Sequence, residues 1–210
     1  MNKRSFKESD IEFIFGNNWV VRKYDEHAYF KMLSGHGLKG VDFIGIYKSE
    51  QLFLIEIKNY HKRSYSPVDP DLSDIEGRNP ILGRKLYGKI EDTLRLIRIE
   101  NKYLTTRWWF TIAHTFRKIL KRRAIQKDWH FWTRVGELSK DAKNVLPVLW
   151  LETGIKSSEL HAQASDELVT SVQNEYAKGK PLNIQALQIT SIKSQSEKEV
   201  LKDLIALRKE

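Results

Sequence analysis

The chain has 210 residues, no cysteine and a formal net charge of +9 at pH 7. This length suits a single domain, with or without an extension, and is enough to bury a sizeable core. Without cysteine there are no disulfides and no thiolate zinc sites, and no apolar run is long enough for a bilayer span or a signal-peptide core. We therefore expect a soluble cytoplasmic protein, and the surplus of positive charge favours a polyanionic partner over a membrane.

The first part of the chain predicts a helix, a strand and a second helix. Ser5 opens a capping-box pattern and Gly16 ends the segment, so we expect a short helix over residues 5–15. The apolar run over 19–24 predicts a strand. Residues 27–33 predict a short helix that leads into a glycine-containing loop.

Two apolar runs, 40–46 and 52–57, are separated by a polar linker and predict a β-hairpin. Three charged residues interrupt this apolar character. Because side chains alternate between the faces of a strand, Glu56 and Lys58 share one face. A turn in the middle of the linker places Asp42 opposite that charged end, so the three side chains meet at one point.

Two converging carboxylates repel each other, and a hard cation such as Mg²⁺ or Mn²⁺ relieves that repulsion. A lysine beside them is suited to orient or deprotonate an attacking water, which is the chemistry of phosphodiester hydrolysis. The alternative is that Glu56 and Lys58 are solvent-facing residues of an edge strand and that Asp42 is a turn residue. The apolar residues that flank all three charges favour the metal-dependent site, because buried charges need a partner or a metal.

The sequence Val41-Asp42-Phe43, a tight hairpin and then Glu56-Ile57-Lys58 resembles the core of the PD-(D/E)XK nuclease superfamily. The motif spacing is most similar to that of Holliday-junction resolvases and Mrr-like members, and the resemblance covers about Lys39 to Lys58. Val41 replaces the proline that names the motif, as in many members. The resemblance implies Asp42, Glu56 and the carbonyl of Ile57 as ligands of Mg²⁺, with Mn²⁺ as a substitute, and Lys58 as the catalytic lysine.

The same resemblance implies the fold class. It is α/β, with a restriction-endonuclease-like αβββαβ core in which helices flank a mixed central sheet. We expect this core over residues 1–150. Residues 151–210 would form a C-terminal extension that packs on the core or makes a dimer or partner surface. A capping box at Ser196 predicts that this extension ends in a helix.

Many members of this superfamily add an acidic residue from an element before the first motif strand. Asp25 or Glu26, which follow the predicted strand over 19–24, are the first candidates for this additional metal ligand. Glu8 and Glu12 are the other candidates. The alternative for Asp25 and Glu26 is that they cap a following helix.

Basic residues flank the predicted site on both sides in the sequence. A basic and aromatic loop follows the second motif strand, and an amphipathic helix over 116–127 has a cationic outer face. Such residues bind phosphates without reading sequence, although a solvated surface is the alternative for both segments. The residues that we expect to contact nucleic acid are Lys62, Arg63, Arg117, Lys118, Lys121, Arg122 and Arg123.

The remaining core elements follow from periodicity. A helix that begins near Pro80 carries an apolar stripe at helical spacing. Buried strands are predicted over 108–114 and over 145–151, and Pro147 either places the second at an edge or delays its start. The stripe consists of Leu86, Ile90, Leu94 and Ile97.

Together these features predict a Mg²⁺-dependent endonuclease that hydrolyses nucleic-acid phosphodiester bonds, with DNA favoured over RNA. Because two cuts in a duplex need two active sites or two binding events, a symmetric homodimer is expected. The alternative function is a nuclease-fold subunit that binds nucleic acid or a partner without cleaving by itself. In either case a partner protein can supply specificity or activation, since nothing in the chain resembles a domain that reads sequence.

Overall fold

The computed structural model of the protein describes residues 4–27, 30–31, 37–60, 82–106, 128–153, 190–191 and 204–208. The described residues form strands, two α-helices and one turn of 3-10 helix at Ala142–Asn144. The strands are β1 (Arg4–Glu8), β2 (Ile11–Phe15), β3 (Trp19–Lys23), β4 (Phe43–Tyr47), β5 (Gln51–Tyr60), β6 (Val145–Thr153), β7 (Thr190–Ser191) and β8 (Leu204–Arg208). The helices are α1 (Leu82–Thr106) and α2 (Asp128–Leu138).

A mixed sheet with the strand order β3-β4-β5-β6-β7 forms the centre of the fold. The first three strands are antiparallel, whereas β5 and β6 are parallel, and so are β6 and β7. The helices α1 and α2 connect β5 to β6, as a parallel pair requires a long crossover. The predicted mixture of helices and a mixed sheet is therefore confirmed. The strand predicted over 108–114 lies outside the described residues.

The hairpin β4–β5 turns where the sequence predicted. Tyr47 is opposite Gln51, and the N–H of Glu50 donates to the carbonyl of Tyr47 over 3.0 Å. Lys48 and Ser49 both have positive φ angles, 48° and 64°, which is the φ pattern of a type I′ turn. This turn fixes the register of the two motif strands, and register decides which side chains share a face.

Both helices cover one face of the central sheet. The predicted stripe on α1 is buried, and so are Phe131 and Trp132 of α2. They pack against Ile44, Leu52 and Leu54 of the hairpin in one apolar cluster. Neither described helix is long and apolar enough to cross a membrane.

A small antiparallel sheet of order β1-β2-β8 covers the opposite face of the central sheet. The helix predicted over residues 5–15 is therefore wrong, because this segment forms β1, a turn and β2. Ile11, Phe13 and Phe15 alternate with more exposed neighbours, so the effective period is two and not 3.6. The turn at Ser9 and Asp10, both with positive φ, ends β1 where the predicted helix would have continued.

The helix predicted at the end of the chain is also wrong over Leu204–Arg208, which is strand β8. This strand pairs with β2, with Leu204 opposite Phe15. Hydrogen bonding to the open edge of β2 outweighs the local capping signal at Ser196, since a tertiary partner regularly overrides helix propensity. The predicted C-terminal extension thus supplies one strand, β7, to the central sheet and another, β8, to the small sheet.

Pro147 lies inside β6, opposite Leu54 of β5. The described pairing of β6 with β7 involves only Val148 and Leu149. The proline, which has no N–H to donate, therefore precedes the part of β6 that has a strand on both sides. The predicted edge position is therefore wrong for the strand as a whole, because β6 lies between β5 and β7, and Pro147 is tolerated where the described β7 does not reach.

Candidate functional site

The hairpin brings the predicted carboxylates together at its open end. Phe43 pairs with Ile55, so Asp42 directly precedes β4 at the level of Glu56. The N–H of Ile57 donates to Asp42 Oδ2 over 2.6 Å. The alternation of β5 sends Phe53, Ile55 and Ile57 to the small sheet, which leaves Glu56 and Lys58 on the helical face as predicted.

Glu56 is a buried charge with two cationic partners. Its side chain is 1% exposed, and Oε1 lies 2.9 Å from Nζ of Lys58. The same Oε1 lies 2.6 Å from Nζ of Lys89, which reaches the site from α1. Among the described residues, the buried Oε2 of Glu56 has no hydrogen-bond partner. The expectation that Lys58 lies beside a carboxylate is confirmed. The alternative, in which Glu56 faces solvent on an edge strand, is wrong because Glu56 is buried.

Asp42 has an environment that disfavours its charge. Burial is the main reason that its pKa rises to about 7, and the nearby charge of Glu56 raises it further. The hydrogen bond from the Ile57 N–H and the charge of Lys89 act in the opposite direction. The mutual repulsion predicted for Asp42 and Glu56 is therefore present, and a cation placed between the two would relieve it.

The acidic residues that precede Asp42 in the sequence differ in their contacts. Glu26 is exposed and binds Nζ of Lys23 at 2.6 Å, which places it in a surface ion pair. Asp25 is half-buried, and its Oδ1 is buried without a hydrogen-bond partner among the described residues. Glu8 binds the same lysine at 2.9 Å, and its charge raises the pKa of both Asp25 and Asp42. Asp25 and Glu8 thus stay as candidates, and Glu26 is the weakest of the three.

Helix α1 holds the segment that leads into Asp42. Asp92 Oδ2 accepts a hydrogen bond from the N–H of Lys39 at 3.0 Å. The Thr93 hydroxyl accepts one from the N–H of Val41, also at 3.0 Å. The N–H groups of Lys39 and Val41 lie outside the strands, and these bonds give them partners. The bonds also tie α1, which carries Lys89, to the segment that carries Asp42.

From the sequence, Lys89 was expected only as a basic residue that is solvated or on the DNA side of its helix, and Asp92 and Thr93 were not singled out. A signal was present, because Lys89, Thr93 and the apolar stripe recur at spacings of three and four residues. Their side chains therefore lie on the face of α1 that is turned toward the sheet. The register of α1 along β5 depends on tertiary packing, however, and no local pattern encodes it.

Glu100, a second buried carboxylate on α1, has a different environment. It is 4% exposed, and its Oε1 accepts a hydrogen bond from the hydroxyl of Tyr24 at 3.2 Å. Burial raises the pKa of Glu100 to about 8. Burial of Tyr24 and the nearby charge of Glu100 raise the pKa of Tyr24. Its Oε2 is buried and lacks a hydrogen-bond partner in the described part of the chain.

The donor set at the hairpin fits a hard divalent cation. Mg²⁺ commonly uses one or two carboxylates and keeps several waters, and the bare Oε2 of Glu56 is an oxygen ready for such an ion. In the described ranges there is no group of three or more His, Asp or Glu side chains that would hold a metal by themselves. The fit therefore rests on two carboxylates, and a contribution from the Ile57 carbonyl stays a prediction.

The predicted nucleic-acid contacts lie elsewhere in the chain. All seven basic residues proposed for phosphate binding fall in segments outside the described residues. They are Lys62, Arg63, Arg117, Lys118, Lys121, Arg122 and Arg123.

No protein-family model matches the chain, and no curated protein or solved structure matches it either. The chemistry of the site therefore follows from its own residues alone.

Proposed function

We propose that the protein is a metal-dependent nuclease that hydrolyses phosphodiester bonds in nucleic acid, with DNA favoured over RNA. The observation that carries the proposal is the meeting of Asp42 and Glu56 at one end of a hairpin, with two lysines on Glu56. A buried carboxylate such as Glu56 is costly unless it is paired or binds a metal, and such perturbed groups cluster at functional sites. An ion-paired core alone would not need a second carboxylate whose ionisation burial opposes.

The proposed fold is the restriction-endonuclease-like core. Its support is the order of strand, hairpin, helix and parallel strand, represented here by β3, β4–β5, α1 and β6. The leading helix of that core has no counterpart over residues 5–15, where the chain forms β1 and β2. The likeness therefore rests on the central sheet and on the position of the carboxylates in it.

In this proposal Asp42 and Glu56 hold Mg²⁺, which when bound supplies charge stabilisation to the phosphate and activates water. Lys58 lies beside Glu56 and orients the attacking water through its ammonium group. Asp25 or Glu8 adds negative charge on the side of Asp42. The net charge of +9 supplies the non-specific attraction to phosphates.

We also propose a symmetric dimer, because a double-strand cut requires two such sites. Residues 151–210 are the proposed surface for the second copy or for a partner that supplies specificity. Sedimentation of the protein with and without DNA measures the stoichiometry directly.

A cleavage assay tests the nuclease proposal. Plasmid, linear, branched and single-stranded DNA, together with RNA, are incubated with Mg²⁺ or Mn²⁺. Glu50→Gln is the matched control, because Glu50 is exposed at the opposite end of the same hairpin. We expect the wild type and Glu50→Gln to cleave, and Asp42→Asn to be inactive.

Equal activity of Asp42→Asn and the wild type would refute the assignment. Nucleic-acid binding without any cleavage, and without heat from added metal, would instead identify a binding or partner subunit.

A further inference from the structure

Lys89 holds an unusual place in the site. Its ammonium and that of Lys58 both bind Oε1 of Glu56, at 2.6 and 2.9 Å, while Oε2 has no hydrogen-bond partner among the described residues. The ammonium on α1 thus pairs with a carboxylate that is proposed to hold the metal, which is part of the electrostatic task of a divalent cation at the same place.

The charges of the site explain why this arrangement changes when a metal binds. Asp42 and Glu56 carry two negative charges when ionised, and Lys58 and Lys89 carry two positive ones. A divalent cation at the carboxylates leaves a surplus of two positive charges, and it repels the ammonium groups beside it. A phosphodiester group of a substrate carries one negative charge, which offsets half of this surplus.

The two lysines differ in where they are attached. Both have a flexible four-carbon stem, and the side chains of Lys58 and Lys89 are 34% and 24% exposed. Lys58 lies on the same strand as Glu56, whereas Lys89 reaches Glu56 from α1. The helix below it is held by Asp92 and Thr93, so the ammonium moves while its attachment point stays in place.

We propose that Lys89 is a displaceable counter-ion, which neutralises Glu56 in the metal-free protein and turns to the substrate phosphate when a divalent cation binds. This inference rests on the proposed nuclease function. It assigns Lys89 a contact with substrate that is made only after the metal has bound. It also gives the order of assembly, since the metal releases the group that receives the phosphate.

Two readouts that move in opposite directions test the proposal. In Lys89→Met the competitor for Glu56 is lost, so Mn²⁺ alone should bind about tenfold more tightly by calorimetry. Cleavage by the same variant should be about 100-fold slower, because a charge that contacts the phosphate is missing. Lys89→Arg keeps the charge and should restore part of the cleavage rate.

Arg98→Met is the matched control, because Arg98 is exposed on the outer face of the same helix. It removes one positive charge without touching Glu56 and should leave both readouts unchanged. A second measurement needs no variant that might misfold. In nuclear magnetic resonance of the lysine ammonium groups, the signal of Lys89 should shift when Mg²⁺ is added to the wild-type protein.

The outcomes separate this inference from the nuclease proposal. If the wild type binds Mn²⁺ and cleaves, but Lys89→Met binds Mn²⁺ more weakly, Lys89 only holds Glu56 in place and the inference is wrong. It is also wrong if Lys89→Met cleaves at the wild-type rate, or if the Lys89 signal does not respond to Mg²⁺. If the wild type neither binds Mn²⁺ nor cleaves, the nuclease proposal is wrong, and the inference about Lys89 is then wrong as well.

Discussion

The two buried carboxylates, Glu56 and Glu100, have nearly equal burial and opposite chemistry. Their side chains are 1% and 4% exposed, and each keeps one oxygen without a hydrogen-bond partner among the described residues. Glu56 is bound by the ammonium groups of Lys58 and Lys89, whereas Glu100 meets the neutral hydroxyl of Tyr24. Two ammonium groups therefore contact Glu56, whereas burial favours the protonated form of Glu100 by raising its pKa.

The comparison teaches that burial alone does not make a carboxylate a functional group. A bare oxygen on an ionised carboxylate is a ligand for a cation. The same oxygen on a protonated carboxyl group is only an unsatisfied acceptor in an apolar core. The difference between the two carboxylates can be tested at Glu56, at Glu100 and at Asp42, which lies beside Glu56.

The largest expected effect is on cleavage. Glu56→Gln removes the charge that would bind the metal in the proposed nuclease, so we expect a loss of about 100-fold or more in rate. Glu100→Gln, the same substitution at the other buried carboxylate, should leave the rate unchanged. Cleavage of a DNA substrate under single-turnover conditions measures both. Equal losses in the two variants would show that the two carboxylates act through stability and not through chemistry.

The second effect is on the pH dependence of stability. The pKa of Glu100 is about 8 in the folded protein and 4.5 ordinarily, so between these values the folded state keeps a proton that the unfolded state has lost. The free energy of unfolding therefore falls as the pH rises through this window. Glu100→Gln does not titrate, and its stability relative to the wild type should rise by on the order of 2–4 kcal/mol between about pH 5 and pH 8.5.

Urea denaturation at several pH values measures this difference. Glu91→Gln is the control, because Glu91 lies on the same helix in a surface pair with Arg95, where such pairs contribute little. If Glu100→Gln and the wild type lose stability in parallel as the pH rises, Glu100 is ionised in the fold and the contrast with Glu56 disappears.

The smallest of the three effects is at Asp42. Asparagine keeps an oxygen that accepts the Ile57 N–H but has no charge to bury beside Glu56. In the presence of a chelator at about pH 8, Asp42→Asn should therefore be more stable than the wild type, by on the order of 1–2 kcal/mol. Added Mg²⁺ should stabilise the wild type and not the variant, because only a bound ion shifts the unfolding equilibrium.

Thermal unfolding with and without Mg²⁺ measures both parts of this prediction. A variant that is less stable than the wild type without metal would mean that ionised Asp42 stabilises the fold. Asp42 would then resemble a structural ion pair more than a ligand that awaits a cation.

The hairpin and its charges were predictable because their information is local. The turn residues, the two apolar runs and strict alternation place Asp42, Glu56 and Lys58 without knowledge of the rest of the chain. The buried stripe on α1 was predictable for the same reason, since a period of 3.6 is visible in the sequence.

The remainder depends on partners that are distant in sequence. Lys89 reaches Glu56 only because α1 packs on β5 in one register, and a basic residue on an amphipathic helix ordinarily indicates a solvated face. Over residues 5–15 a capping box and an alternating apolar pattern compete, and the edge offered by β2 and β8 decides for strands. Leu204–Arg208 resembles a helix locally and becomes a strand because β2 supplies hydrogen bonds.

The central strand β5 also predicts the order in which the site assembles during folding. Its pairing with β4 closes a turn of a few residues, whereas its parallel pairing joins Leu52 to Val145, which lies 93 residues later in the sequence. Short loops close far sooner than long ones, since contacts distant in sequence cost more chain entropy. The two carboxylates therefore come together early in the hairpin, before α1 has delivered the ammonium of Lys89.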